Sequence, residues 1–145
     1  MQIKELGHVV LYVTNLERSV HFYRDILGFT AIAVQPGVAA FSSGRTHYEL
    51  LLIEIGGTPV AKQTPQPGLY HIGFKVGDTD EELRLVIRDL NKNNISIIGA
   101  TDHGVTHSLY IEDPDGNELE LYVDVSDIWK SDPGAIMMPP RALHL

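Results

Sequence analysis

The 145-residue chain contains no cysteine, which removes disulfides, iron–sulfur clusters and thiol chemistry together. It has no basic block either. Eleven basic residues stand against 19 acidic ones, a formal net charge of -8, so neither nucleic acid nor an anionic membrane is expected as a partner. No apolar run approaches the ~18 residues of a membrane-spanning helix. The first strand pattern begins within a few residues of Met1, so no signal peptide is expected. These absences predict a cytoplasmic protein. What the chain does have is 43% apolar residues, enough for the core of one domain or of two small modules sharing one core.

Two such modules are visible as an internal repeat. Gly7-His8-Val9-Val10-Leu11-Tyr12-Val13 returns loosely as Tyr70-His71-Ile72-Gly73-Phe74-Lys75-Val76, each with one histidine near the start of a strand-like run. His8 to His71 spans 63 positions, and Arg24-Asp25-Ile26 to Arg88-Asp89-Leu90 spans 64. Glu49-Leu50-Leu51 aligns with Glu120-Leu121-Tyr122.

In the first copy the pattern predicts a strand over about 6–13 and a helix from a Thr14 or Asn15 cap to Leu27. Leu16, Val20, Tyr23 and Leu27 share its apolar face, and Gly28 ends it. Strands follow at about 30–34, 38–43 and 47–55. The second copy gives a strand from Leu69 and the capping box Thr79-Asp80-Glu81-Glu82. Its helix runs to about Lys92 with Leu83, Val86, Ile87 and Leu90 inward. Strands are predicted at about 95–99, 107–112 and 118–124, with Pro114-Asp115-Gly116-Asn117 as a tight turn.

The expected fold is therefore α+β: two βαβββ modules at about 4–55 and 69–124, joined by a Gly/Pro-rich linker at 56–68. One module alone leaves a face of its sheet bare, so two must pack together or exchange with a second chain.

The repeated histidines and the aligned glutamates carry the chemistry. His8, His71 and Glu120 supply two imidazoles and a carboxylate, the donor set of a non-haem iron facial triad. Glu120 lies among Leu119, Leu121, Tyr122 and Val123, where an unpaired carboxylate is costly. Each residue also has an ordinary alternative: a hydrogen-bonded strand histidine, or a glutamate on an edge facing water. Gly73 in mid-strand weakens a sheet and suggests room for a ligand or a close contact.

The stretches Asn15-Leu16-Glu17-Arg18-Ser19-Val20-His21-Phe22-Tyr23, Leu27-Gly28-Phe29 and Asp113-Pro114-Asp115-Gly116-Asn117-Glu118-Leu119-Glu120-Leu121-Tyr122, with the leading Gly7-His8, resemble the vicinal oxygen chelate superfamily. That superfamily comprises glyoxalase I, extradiol dioxygenases, fosfomycin and bleomycin resistance proteins and methylmalonyl-CoA epimerase. The resemblance covers roughly residues 4–125. It implies paired βαβββ modules forming an open barrel around one divalent metal, held by His8, His71 and Glu120. In the last strand of the first module two candidates stay open: Glu49 as a fourth ligand in the manner of glyoxalase I, or His47 as the catalytic histidine of a dioxygenase.

Tyr110, ten residues before Glu120, matches an active-site tyrosine of extradiol dioxygenases, and Asp102-His103-Gly104-Val105-Thr106-His107-Ser108-Leu109-Tyr110 is similar to catechol 2,3-dioxygenase relatives. The resemblance thus favours an Fe(II) enzyme that cleaves a small catechol-like aromatic with O2, using His47 or His103 as acid/base and Tyr110 as a hydrogen-bond donor. Mn(II), Ni(II) and Zn(II) are the alternative metals. A glyoxalase-like isomerase or lyase is the second reading, and drug binding without turnover the third; retention of His8, His71 and Glu120 counts against the third. Residues 126–145 are too apolar for a free tail and are expected to lie over the barrel or against a partner subunit. A homodimer is expected, as in the family and among oligomers generally.

Overall fold

Two open sheets of four and five strands, each backed by helix, form in the computed structural model, which describes residues 1–60 and 65–145. The chain divides into two compact units, Met1–Lys62 with Pro114–Gly116, and Gln63–Asp113 with Asn117–Leu145. Of the expected linker 56–68, residues 61–64 lie outside the described residues. The α+β class and the two βαβββ modules are as read from the sequence.

In the first unit the sheet order is β1 (Val9–Val13), β4 (Leu50–Glu54), β3 (Val38–Phe41), β2 (Ala31–Gln35), with β1 parallel to β4 and the other pairs antiparallel. Alternation sends Leu11, Val13, Ala39, Phe41, Leu50 and Leu52 to one buried face. The helical segment after β1 supplies Leu16, Val20, Phe22 and Tyr23 to the same core. Asn15 caps it, its side-chain oxygen accepting from the Arg18 amide at 2.8 Å.

That segment differs from the continuous helix expected. It is α-helical only over α1 (Leu16–Val20) and π-helical over His21–Ile26, closed by the Leu27 amide on the Phe22 carbonyl at 3.0 Å. The wider turn lets the adjacent Phe22 and Tyr23 both face inward, where 3.6-residue spacing selected Tyr23 and Leu27.

In the second unit the order is β5 (His71–Gly77), β8 (Glu118–Asp124), β7 (Thr106–Glu112), β6 (Gly99–Asp102), β9 (Arg141–Ala142). β5 runs parallel to β8, and a bulge interrupts their register between Lys75 and Gly77. Helix α2 (Asp80–Lys92) starts on the expected capping box: Thr79 Oγ accepts from the Glu82 amide, and the Glu82 carboxylate accepts from the Asp78 amide and the Thr79 hydroxyl, both at 2.8 Å. Its Leu83 joins Leu109 and Val123 in a core flanked by Val76, Val86, Ile87, Ile97, Val125 and Leu143.

The strand expected at 95–99 begins later, at Gly99. Asn94 takes a positive φ of 57° and the Ile95 amide returns to the Leu90 carbonyl, so this stretch closes off the helix before the ladder starts. Ile97 packs against the Leu83 core from that connection, without a place in the strand. At the C-terminal end, β9 extends the sheet by pairing with Thr101 and Asp102 of β6.

Candidate functional site

In the second unit, strand alternation turns Leu119, Leu121 and Val123 of β8 into the core and leaves Glu118, Glu120 and Tyr122 on the opposite face. Cross-strand register places His71 beside Glu118, Gly73 beside Glu120, and Tyr110 beside Glu120 from the other side. Three of the predicted site residues therefore meet on one sheet face, and His103 joins them from the turn after β6.

The His71 Nε2 lies 3.1 Å from Glu120 Oε2, and the Tyr110 hydroxyl donates to Glu120 Oε1 at 3.2 Å. His103 Nε2 is 2.9 Å from the same hydroxyl. The phenol has a single proton, which points at Glu120, so His103 donates to the phenol oxygen through Nε2–H. Burial, with the charge and hydrogen bond of Glu120 behind it, pushes the Tyr110 hydroxyl up to about 12. Tyr110 is accordingly a neutral donor throughout the physiological range.

Two residues absent from the expected set belong to this group. Glu118 Oε1 stands 3.6 Å from His71 Nδ1, too long for a hydrogen bond although within ion-pair reach, and that nitrogen has no hydrogen-bond partner. The Tyr70 ring packs on His71 with centroids 4.6 Å apart, and its hydroxyl is raised chiefly by the Glu118 charge. The period-two pattern of β8 already put Glu118 on the Glu120 face; the parallel register that sets it opposite His71 is not visible in one sequence.

In the first unit His8 and Glu49 lie just before β1 and β4, not within them, and the Val9 amide bonds the Glu49 carbonyl at 2.9 Å. His8 is exposed, packs on Tyr48 at 4.5 Å between centroids and has His47 at 5.9 Å. His47 is exposed too, with its Nδ1 3.2 Å from the Thr46 hydroxyl. Strand alternation cannot set the direction of His47, because the strand begins only at Leu50.

The Glu49 carboxylate, 14% exposed, is engaged. It accepts from the Ser43 amide and hydroxyl, and Arg45 Nε lies 3.3 Å away. Burial pushes this carboxyl up, but the Ser43 hydrogen bonds, with Ser42 and the Arg45 charge, outweigh it and hold the group below its ordinary value.

Among the described residues no group of three or more His, Asp or Glu side chains stands ready to hold a metal. The donor chemistry at His71 and Glu120 nevertheless fits a divalent ion. An imidazole nitrogen and a carboxylate already face each other, and a second carboxylate stands on the far side of the ring, where partners of metal-bound histidines orient it.

The family model for the Glyoxalase/Bleomycin resistance protein/Dioxygenase superfamily matches residues 5–121. The chain belongs to this superfamily. Within it, the chain is 33% identical over 119 residues to the catechol-2,3-dioxygenase of Bacillus subtilis, covering 82% of this chain and 41% of that protein. It is 32% identical over 123 residues to biphenyl-2,3-diol 1,2-dioxygenase 3 of Rhodococcus globerulus, covering 82% of this chain and 63% of the relative. The chain thus spans about half the length of these two superfamily members.

A solved glyoxalase/dioxygenase from Nostoc punctiforme shares the fold with a TM-score of 0.66 at 21% identity, covering 85% of this chain and 92% of that one. Similar superfamily members also bear the names metallothiol transferase FosB and lactoylglutathione lyase, so membership does not by itself name the reaction. Members of this superfamily typically bind a divalent metal.

Proposed function

We propose that the chain is an extradiol-type, ring-cleaving dioxygenase acting on a small catechol-like aromatic with Fe(II) and O2. The observation that carries this reading is the Tyr110 hydroxyl held between Glu120 and His103, on the carboxylate that also faces His71. His8, His71 and Glu120 are the residues that would hold the metal. When bound, Fe(II) supplies a site that chelates both oxygens of a catechol and admits dioxygen.

The chain's own residues supply orientation and protons. Tyr110, neutral because burial and Glu120 oppose its ionisation, keeps its proton, and turning that proton away from Glu120 would let it donate to a substrate oxygen without competing as a base. His103 keeps a proton at Nε2 beside that phenol, and imidazole exchanges protons near neutral pH. His47 is the alternative acid/base. Gly73, beside Glu120, adds no side chain between the Glu120 carboxylate and the Tyr122 ring, each of which a Cβ there would touch at 3.5 Å.

The engagement of Glu49 by Ser43 and Arg45 supports this reading over a glyoxalase-like isomerase or lyase, in which Glu49 would have to leave those partners to become a fourth ligand. Within the same proposal the enzyme is cytoplasmic and works as a homodimer. The apolar Val10 and Tyr12, 44% and 68% exposed on one face of β1, support a covering partner.

The test is to load the protein anaerobically with Fe(II), with Mn(II), Ni(II) and Zn(II) as controls. Catechol, 3-methylcatechol and 2,3-dihydroxybiphenyl are then offered with oxygen. A yellow ring-fission product that depends on iron is expected; no colour across the panel from protein shown to hold the metal refutes the reading.

A further inference from the structure

Across the second sheet, one row of register partners runs Gly73, Glu120, Tyr110, Gly99. The two residues that carry chemistry are flanked on both sides by positions without a side chain. At Gly99 the backbone does not demand glycine: its φ lies outside the left-handed region, and it sits in an ordinary antiparallel ladder with β7. Glycine there weakens the strand relative to any residue with a Cβ.

The neighbouring ring accounts for it. A Cβ at Gly99 would lie 3.3 Å from Tyr110 Cδ2, 3.7 Å from its Cβ and 3.8 Å from Cγ. The first distance is shorter than the ~3.5–4.0 Å at which carbon atoms pack favourably. The root of the Tyr110 side chain therefore crowds the position a Cβ at 99 would take, and would have to give by a few tenths of an ångström to admit it. Its far end is the hydroxyl shared by Glu120 and His103.

We propose that Gly99 is a positioning residue: the clearance above its Cα lets the Tyr110 ring lie where its hydroxyl meets Glu120 and His103. The kinetic part of this inference rests on the dioxygenase reading; the geometric part stands without it. Alanine at 99 moves the ring by a few tenths of an ångström. Valine, which suits a strand better than glycine, moves it further. The loss of function then follows the distance of the hydroxyl from Glu120, which a glycine needed only by the strand would not produce.

The experiment compares Gly99→Ala and Gly99→Val with the parent, each also in a Tyr110→Phe background. Crystal structures of the metal-free variants measure the hydroxyl's distances to Glu120 and His103. Thermal melts and kcat/KM for 3-methylcatechol follow. Gly99→Val is expected to carry the hydroxyl beyond about 3.5 Å of Glu120, past hydrogen-bond reach. The loss in kcat/KM is about tenfold, the scale of one hydrogen bond, and it vanishes when Phe already occupies 110. Should the valine variant not fold, the alanine variant gives the same comparison with a smaller shift.

A hydroxyl that stays on both partners in the variants, or an equal kinetic loss in the Tyr110→Phe background, overturns the inference. If the parent cleaves no catechol, the reaction reading fails, and the measured hydroxyl distances still decide the role of Gly99.

Discussion

Replacing Tyr110 with phenylalanine removes one oxygen and keeps the ring. In the structure that oxygen makes two hydrogen bonds, donating to Glu120 at 3.2 Å and accepting from His103 at 2.9 Å. For folding, neither partner is left stranded, since the His103 and Glu120 side chains are 31% and 16% exposed and reach water. The expected cost is therefore that of an ordinary hydrogen bond, roughly 0.5–1.5 kcal/mol in urea titrations. For turnover, the phenol acts on groups that carry charge, where a hydrogen bond is worth roughly 1.5–3 kcal/mol. If that bond is made to the reacting substrate, kcat/KM falls about 10- to 150-fold, at ~1.36 kcal/mol per decade. The assay is the initial rate of yellow product from 3-methylcatechol with iron-loaded protein, alongside iron content measured on the same samples. Activity within about threefold of the parent at equal iron content would refute the role given to the phenol.

Three further outcomes follow from the same geometry. Glu49→Gln should leave bound Fe(II) and kcat/KM within about threefold of the parent, because its carboxylate serves Ser43 and Arg45; loss of the metal would make it a ligand. Leu83→Ala, at a fully buried position packed on Leu109 and Val123, should cost about 2–5 kcal/mol in urea melts. The Glu82 carboxyl is held below its ordinary value by the Asp78 amide first and the Thr79 hydroxyl second. A depressed carboxyl contributes stability above its unfolded value and loses it as pH falls through the folded one. The stability gap between the parent and Glu82→Gln should therefore be full at about pH 6 and close as pH drops below about 4.5, near the ordinary glutamate value; a gap that stays constant down to about pH 3 would refute the capping role.

The two modules were legible because each rests on local signals. The strand at His71, the cap at Thr79 and the alternation along 118–124 are all short-range patterns, and the structure places elements on each, while the first strand starts one residue after His8. The shift of the 95–99 strand shows where such signals mislead. Ile95, Ile97 and Ile98 read as a strand, but a left-handed Asn94 and the Leu90 carbonyl hold the chain at the helix end until Gly99. The π-helical turn was beyond reach for another reason. Its widening serves two adjacent aromatics against a sheet assembled from distant residues.

The candidate site divides along the same line. His71 and Glu120 were found through the repeat, Tyr110 and His103 through the family resemblance, and the second sheet brings the four together. Glu118 and Tyr70 enter through strand register, and the engagement of Glu49 depends on the loop that carries Ser43 and Arg45. Apart from the alternation that puts Glu118 on the Glu120 face, neither leaves a periodic trace in the sequence.

The bulge in β5 has a consequence for how this chain tolerates inserted residues. The opening histidines are 63 positions apart, while the helix caps Asn15 and Thr79 are 64 apart. β1 pairs with β4 without interruption, whereas β5 skips Val76 in its pairing with β8, so the additional residue of the second copy resides there. It fell after Lys75, where it adds only local twist before Gly77 passes under the Glu82 carboxylate. The same insertion three residues earlier, at Gly73, would have turned Lys75 and all that follows in β5 to the opposite face. Length variation among descendants of this chain should therefore gather at the strand-to-helix corner and be absent between His71 and Lys75, a bias that a library of single-residue insertions screened for folded protein would reveal directly.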